Sequence, residues 1–174
     1  MRESTYARRR DQLTTYFDDT AAAAWRALTS TDPVSRIRAT VRAGRDDMRN
    51  TLLDWLPADL SGYTLLDAGC GTGALSIDAA RRGAKVIAVD VAANLVEVAS
   101  RRAAREGVAG SIDFRVGDML TEAPANVDFT VAMDSLIHYT LDDVQDVIAG
   151  FASRSRHSVL FTSAPWTRML AMMH

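Results

Sequence analysis

The chain has 174 residues, of which 48% are hydrophobic and 24% charged, with a formal net charge of −2. These values are ordinary for one soluble globular domain and argue against a disordered or membrane-spanning chain. The charge also gives no reason to expect a nucleic acid partner, because proteins that bind one usually present a basic face. A single cysteine, Cys70, excludes an internal disulfide and suits a reducing, cytosolic compartment.

The first part of the chain has the spacing of amphipathic helices. Apolar residues between positions 13 and 28 predict one helix, and a capping signal before Pro33 predicts a second helix that continues to about residue 56. We interpret residues 1–60 as a helical lid, with Trp25 and Trp55 as core residues.

From residue 61 onward, short apolar runs bounded by turn residues alternate with helical stretches. This alternation is typical of buried parallel strands joined by crossover helices. We therefore expect residues 61–174 to form a doubly wound, mostly parallel α/β sheet of the Rossmann type, with its ligand crevice beyond the carboxyl ends of the strands. The predicted strands are 64–68, 85–89, 112–116, 128–133 and 158–162, and the predicted helices are 74–82, 92–106 and 141–152.

The strongest motif is the stretch 67–73, where an apolar strand leads into a glycine-rich turn and then into a helix. Glycines allow a tight turn and a close approach of a ligand, and the start of a helix offers unpaired N–H groups. Gly69, Gly71 and Ala74 also satisfy a relaxed dinucleotide fingerprint. The turn alone therefore leaves open a nicotinamide dinucleotide site, or a structural turn without a ligand.

Asp67 favours a different ligand. A carboxylate at the mouth of the loop would repel a pyrophosphate and attract a positively charged group. S-adenosylmethionine carries a sulfonium and an ammonium and has no phosphate, so it meets this electrostatic requirement.

Acidic residues stand at or just after the ends of four predicted strands, at Asp67, Asp90, Asp118 and Asp134. In a parallel sheet the carboxyl ends of the strands meet at one edge, so these side chains should surround one crevice. Asp90 stands where an acid can accept hydrogen bonds from ribose hydroxyls, a feature shared with NAD proteins. Asp118 can accept from an adenine amino group while Met119 packs on the ring. The pattern predicts a cofactor that contains a nucleoside.

The stretch 67–73, Asp90, and Gly117 with Asp118 resemble the successive motifs of class I S-adenosylmethionine-dependent methyltransferases. Within that superfamily, the stretches 16–18, 41–46 and 133–139 resemble the magnesium-protoporphyrin IX O-methyltransferase family of bacteriochlorophyll and chlorophyll biosynthesis. The resemblance implies S-adenosylmethionine as methyl donor and a propionate carboxylate of a magnesium porphyrin as acceptor.

The resemblance also implies the site residues. His138 and Tyr16 are expected at the acceptor, and Arg45 is expected to pair with the cofactor carboxylate. No metal site is predicted. The expected cofactor contacts are Asp67, Gly69, Cys70, Gly71, Gly73, Asp90, Val91, Asp118, Met119, Asp134 and Ser135.

Members of the family continue past the fifth strand with a further helix and an antiparallel strand pair, so the resemblance implies that C-terminal strands are missing beyond His174. It also implies a contact with a magnesium-chelatase subunit and a peripheral association with a membrane, because porphyrins are flat and apolar.

Three alternatives stay open: a methyltransferase for a phenol, amine or carbon acceptor, a nucleotide-dependent oxidoreductase, and a non-catalytic cofactor-binding module.

Overall fold

The computed structural model describes residues 5–17 and 36–163. Two helices, α1 (Thr5–Thr15) and α2 (Arg36–Asp54), precede the alternating part of the chain. A single-turn helix, Leu136–His138, lies just before the last long helix. A second short helix, Ala109–Ser111, precedes the third strand. The strands and longer helices of this part, in chain order, are β1 (Thr64–Ala68), α3 (Ala74–Arg81), β2 (Lys85–Asp90), α4 (Ala93–Arg105), β3 (Ile112–Val116), β4 (Val127–Ala132), α5 (Leu141–Ala152) and β5 (Ser155–Phe161).

The five strands form one parallel sheet in the order β3-β2-β1-β4-β5. Strand β1 is central: Leu65 is in register with Val86 of β2 on one side and with Phe129 of β4 on the other. The winding direction reverses between β1 and β4, which is the switch point where doubly wound sheets open a crevice. The predicted doubly wound parallel sheet is therefore confirmed.

The strand boundaries differ from the prediction mainly at β5. This strand begins at Ser155 rather than at residue 158, and Ser155 pairs with Val127 of β4 before a shift in register. The added residues include Arg156 and His157, which are exposed. An edge strand can carry polar residues because one of its sides faces solvent, and a search for apolar runs therefore starts the strand too late.

An apolar core covers each face of the sheet, and successive residues of β1 point alternately into the two cores. Leu65 packs in the core that includes Leu52 and Leu53 of α2, whereas Leu66 packs with Phe151 of α5. This alternation follows from the two-residue repeat of a strand. The end of α2 is therefore part of the core of the α/β unit.

Trp55 corrects one prediction about this core. It was expected to be buried, yet it is 67% exposed, because α2 ends at Asp54 and the inward positions belong to Leu52, Leu53 and Leu56. Trp25 and the predicted helix start at Pro33 lie outside the described residues. No helix in the described ranges is both long and apolar enough to cross a membrane.

Candidate functional site

A cavity of about 770 Å³ opens at the carboxyl edge of β1, β2 and β4. The loops that follow these strands line one side of it, and α1 and α2 contribute the other. Its volume is in the range of small-molecule sites, about 300–1,000 Å³. The predicted site residues that line the cavity are Arg45, Asp67, Gly69, Cys70, Gly71, Asp90, Val91, Met119, Asp134, Ser135 and His138.

Three predicted site residues lie apart from this lining. Gly73 lies at the start of α3, where its N–H donates to the Cys70 carbonyl oxygen at 2.9 Å. Tyr16 is 52% exposed, and it is the neighbouring Phe17 that lines the cavity. Asp118 lies between Gly117 and Met119, which line the cavity, and its carboxylate contacts α1.

The glycine loop is held in place by Asp90. One carboxylate oxygen of Asp90 accepts a hydrogen bond from the Gly71 N–H at 2.8 Å, and the other accepts from the Ala92 N–H at 2.9 Å. Gly69 has a φ of 82°, which only glycine adopts without strain, and its N–H donates to the Val89 carbonyl oxygen at 2.8 Å. The acid at the end of β2 therefore shapes the loop as well as lining the cavity.

Asp67 corrects the electrostatic argument made from the sequence. The residue is 1% exposed, and its carboxylate accepts a hydrogen bond from the Ser76 hydroxyl of α3. Burial raises the pKa of Asp67 to about 7, against the opposing effect of this hydrogen bond. Asp67 therefore joins β1 to α3, and it is not an open, fully charged carboxylate at the mouth of the loop.

Asp134, at the end of β4, has a strained backbone and a cationic partner. Its φ of 56° lies in the left-handed region, which is uncommon for a residue with a side chain and is found preferentially at functional sites. Its carboxylate forms an ion pair with Arg45 at 2.5 Å, and its N–H donates to the Thr162 hydroxyl at 2.7 Å. Arg45, predicted to pair with a cofactor carboxylate, is thus paired with Asp134 in this structure.

Ser135 provides a test of whether a polar ligand fits. Its hydroxyl oxygen is buried beside Gly69 and has no hydrogen-bond partner in the described part of the chain. A buried hydroxyl without a partner is costly, and a ligand in the cavity could satisfy it.

His138 lies at the end of the single-turn helix, and its ring contacts Phe17 edge-on at a centroid distance of 5.7 Å. Burial lowers the pKa of His138 below its usual 6.5, Arg9 lowers it further, and Asp134 opposes the shift. Arg9 is held nearby because its Nε donates to the His138 carbonyl oxygen at 2.7 Å. The imidazole is therefore neutral at neutral pH.

The effect of Arg9 on His138 can be measured directly. We expect the His138 imidazole to titrate below pH 6.5, and we expect Arg9→Gln to raise its midpoint, because a nearby positive charge is removed. The measurement is an NMR titration of the imidazole signals, assigned with His138→Gln. An unchanged His138 midpoint in Arg9→Gln would contradict this electrostatic account.

Sequence reasoning missed two aromatic residues and a set of arginines in the cavity. The rings of Tyr6 and Tyr139 stack at 4.9 Å, and both residues line the cavity. Among the lining arginines, the pKa of Arg102 is lowered by burial, by Arg105 and by Arg42. The many arginines of the N-terminal part could have indicated Arg42 as a site residue, whereas no pattern in the sequence indicates Tyr6.

The sequence and the fold are similar to those of known proteins. The methyltransferase domain family matches residues 65–157. A magnesium-protoporphyrin O-methyltransferase of Rhodobacter capsulatus is 45% identical over 168 residues, which cover 96% of this chain and 75% of that protein. The chain belongs to the magnesium-protoporphyrin O-methyltransferase family. A chloroplastic member from Arabidopsis thaliana is 37% identical over 87% of this chain and 50% of the relative.

A solved structure of the same family supports the cofactor. The crystal structure of magnesium protoporphyrin IX methyltransferase from Synechocystis PCC 6803 with bound S-adenosylmethionine superposes with a TM-score of 0.84. It is 28% identical to this chain, and the match covers 90% of this chain and 76% of that one. Because the present chain belongs to the same family, its cofactor is S-adenosylmethionine. The glycine loop, Asp90 and the Ser135 hydroxyl, which has no partner among the described residues, fit such a ligand.

Proposed function

We propose that this chain transfers the methyl group of S-adenosylmethionine to a propionate carboxylate of magnesium-protoporphyrin IX, a step of bacteriochlorophyll or chlorophyll biosynthesis. The observation that carries the proposal is the 45% identity to the Rhodobacter capsulatus enzyme over 96% of this chain. The cavity at the switch point of the sheet supports it, because this is where the cofactor and acceptor would meet.

We propose the cofactor contacts among the residues at this edge of the sheet. Asp90 would accept from the ribose hydroxyls, Met119 would pack on the adenine and Asp118 would accept from its amino group. Gly69 and the Ser135 hydroxyl lie where the amino-acid part would bind. The bound cofactor supplies an electrophilic methyl group on a positively charged sulfur.

His138 would orient the acceptor more than deprotonate it. A propionate should titrate near the glutamate reference of about 4.3, so it is already ionised at neutral pH. A neutral His138 can donate one hydrogen bond to that carboxylate, which has already lost its proton. Phe17, Leu13 and Tyr6 line the cavity from the N-terminal side, and these apolar groups would exclude water from the bound substrates. Alignment and exclusion of water are therefore the main contributions of the protein.

The arginines of the cavity support an anionic acceptor. Burial lowers the pKa of Arg102, and the nearby charges of Arg105 and Arg42 lower it further; a carboxylate bound beside Arg102 would relieve that repulsion. Magnesium-protoporphyrin IX carries two propionates, so one can react while the other binds these arginines.

The decisive experiment supplies the chain with magnesium-protoporphyrin IX and methyl-labelled S-adenosylmethionine. We expect a labelled porphyrin methyl ester, and we expect His138→Ala to lower kcat roughly 10–100-fold, the order of a lost orienting contact. Calorimetric affinity for S-adenosylhomocysteine should stay within about two-fold, because His138 is assigned to the acceptor. Labelling of a phenol or amine in place of the porphyrin would overturn the acceptor assignment. Binding of NADH in preference to S-adenosylhomocysteine would overturn the cofactor site.

We also propose that residues 1–60 act as a lid, and that the acceptor arrives from a magnesium-chelatase subunit or a membrane surface. Exposed Ile137, Leu141 and Phe161 lie at the carboxyl edge of the sheet and support an apolar contact there. Sedimentation with lipid vesicles, and with the chelatase subunits, tests these contacts. Recovery of the chain entirely in the supernatant in both cases would count against them.

A further inference from the structure

Helix α1 holds the carboxylate of Asp118 from two sides. The Tyr6 hydroxyl donates to Oδ1 of Asp118 at 2.7 Å, and Nη1 of Arg10 donates to Oδ2 at 3.0 Å. The Leu120 N–H also donates to Oδ1, at 2.8 Å. The Asp118 side chain is only 9% exposed, so these contacts set its orientation.

Other contacts fix α1 to the segment that carries His138. The ring of Tyr6 stacks on Tyr139 with an angle of 17° between the ring planes, and the Thr5 hydroxyl donates to Oδ1 of Asp143 at 2.7 Å. Burial and the contact with Asp118 raise the pKa of Tyr6 above its usual value, so its hydroxyl keeps the proton that it donates. The helix therefore has a fixed position between Asp118 and the acceptor side of the cavity.

The hydrogen bonds to Asp118 leave room for one more. An ionised carboxylate offers about four lone-pair positions. Among the described residues, Tyr6 and Leu120 occupy both positions on Oδ1, and Arg10 occupies one on Oδ2. One lone-pair position on Oδ2 is left to accept a further hydrogen bond. Asp118 lies next to the cavity, because its sequence neighbours Gly117 and Met119 line it.

We propose that Tyr6 and Arg10 are positioning residues for the cofactor: they hold the Asp118 carboxylate so that its Oδ2 accepts a hydrogen bond from the 6-amino group of adenine. The inference rests on the proposed function, because it requires the cofactor to bind in this cavity. The Tyr6 hydroxyl holds Oδ1 and the Arg10 guanidinium holds Oδ2, so the carboxylate cannot rotate freely. Binding of the cofactor and docking of α1 then strengthen one another by the same factor.

The test uses two variants of the full chain and two ligands. Tyr6→Phe keeps the stacked ring but removes the hydroxyl, and Arg10→Gln removes the charge. The matched control is Arg8→Gln, which removes a charge from an exposed position of the same helix. The ligands are S-adenosylhomocysteine and its purine-riboside analogue, in which hydrogen replaces the 6-amino group. Affinities are measured by isothermal titration calorimetry.

We expect Tyr6→Phe and Arg10→Gln each to raise the Kd of S-adenosylhomocysteine about five-fold, a modest effect because Arg10 is partly exposed to solvent. The Kd of the analogue should be unchanged, since it lacks the group that Asp118 recognises. Arg8→Gln should affect neither ligand.

Two results would overturn the inference and leave the proposed function intact. An equal loss of affinity for both ligands would show that α1 acts only through packing. Unchanged affinity for S-adenosylhomocysteine in both variants would show that Asp118 needs neither residue. Failure of the unmodified chain to bind S-adenosylhomocysteine would instead overturn the proposed cofactor site.

Discussion

Replacing Asp90 with Ala should weaken binding of S-adenosylhomocysteine by roughly 100-fold or more. The carboxylate accepts hydrogen bonds from the Gly71 and Ala92 N–H groups, and each bond to a charged group contributes about 1.5–3 kcal/mol. Its removal leaves two N–H groups without their partner and releases the glycine loop. The same substitution removes the acceptor that we assign to the ribose hydroxyls, so the loop and the ligand lose contacts together.

Calorimetry with S-adenosylhomocysteine measures the effect, and Asp113→Ala is the control. Asp113 lies on the adjacent strand β3, is 56% exposed and pairs with Arg115, so its loss should leave the affinity unchanged. Asp90→Asn should fall between the two, because the amide keeps one oxygen that can accept. Wild-type affinity in Asp90→Ala would show that neither the loop nor the ribose depends on this carboxylate.

The strands and the cavity edge could be predicted because they follow from local patterns. Buried parallel strands are runs of apolar residues, and four acids stand at or just after the ends of such runs. Once the sheet is parallel, topology alone brings Asp67, Asp90, Asp118 and Asp134 to one edge. Burial, hydrogen bonding and charge at each acid, in contrast, depend on which other side chains arrive there.

The differences between prediction and structure at the site concern pairs of residues that are not neighbours in sequence. Ser76 of α3 meets Asp67 of β1 in the core, and Arg45 of α2 meets Asp134 after β4. Tyr6 reaches Asp118 across 112 positions of sequence. No spacing rule along a single chain encodes such pairs, because tertiary packing creates them.

The boundaries of the N-terminal helix α1 could not be predicted from local sequence patterns either. Helix α1 begins at Thr5, well before the predicted start, although the stretch from Arg8 to Asp11 has no apolar spacing. Leu13 is its one buried residue, and the helix is held instead by polar contacts to Asp118 and Asp143. A method that relies on apolar periodicity finds a helix only where an apolar face is buried.

Replacing Gly69 with Ala should both destabilise the fold and abolish cofactor binding. A residue with a side chain at a φ of 82° lowers the free energy of unfolding by about 1–2 kcal/mol. The new Cβ would also overlap the Cβ of Ser135, and overpacking of this kind costs about 1–3 kcal/mol more. The sum is a large part of the total stability of a domain, about 5–15 kcal/mol.

Gly107→Ala separates the two costs, because Gly107 has a φ of 73° but no atom of the described residues lies within 4 Å of the position that an alanine Cβ would take there. We expect Gly107→Ala to lower the free energy of unfolding by about 1–2 kcal/mol in urea and to leave S-adenosylhomocysteine binding unchanged. Gly69→Ala should lose more stability and all measurable binding. Adding Ser135→Gly to Gly69→Ala removes the overlapping atom, so the double variant should regain part of the lost stability. Equal destabilisation by Gly69→Ala and Gly107→Ala would contradict the steric argument, because only backbone strain would then matter at the glycine loop.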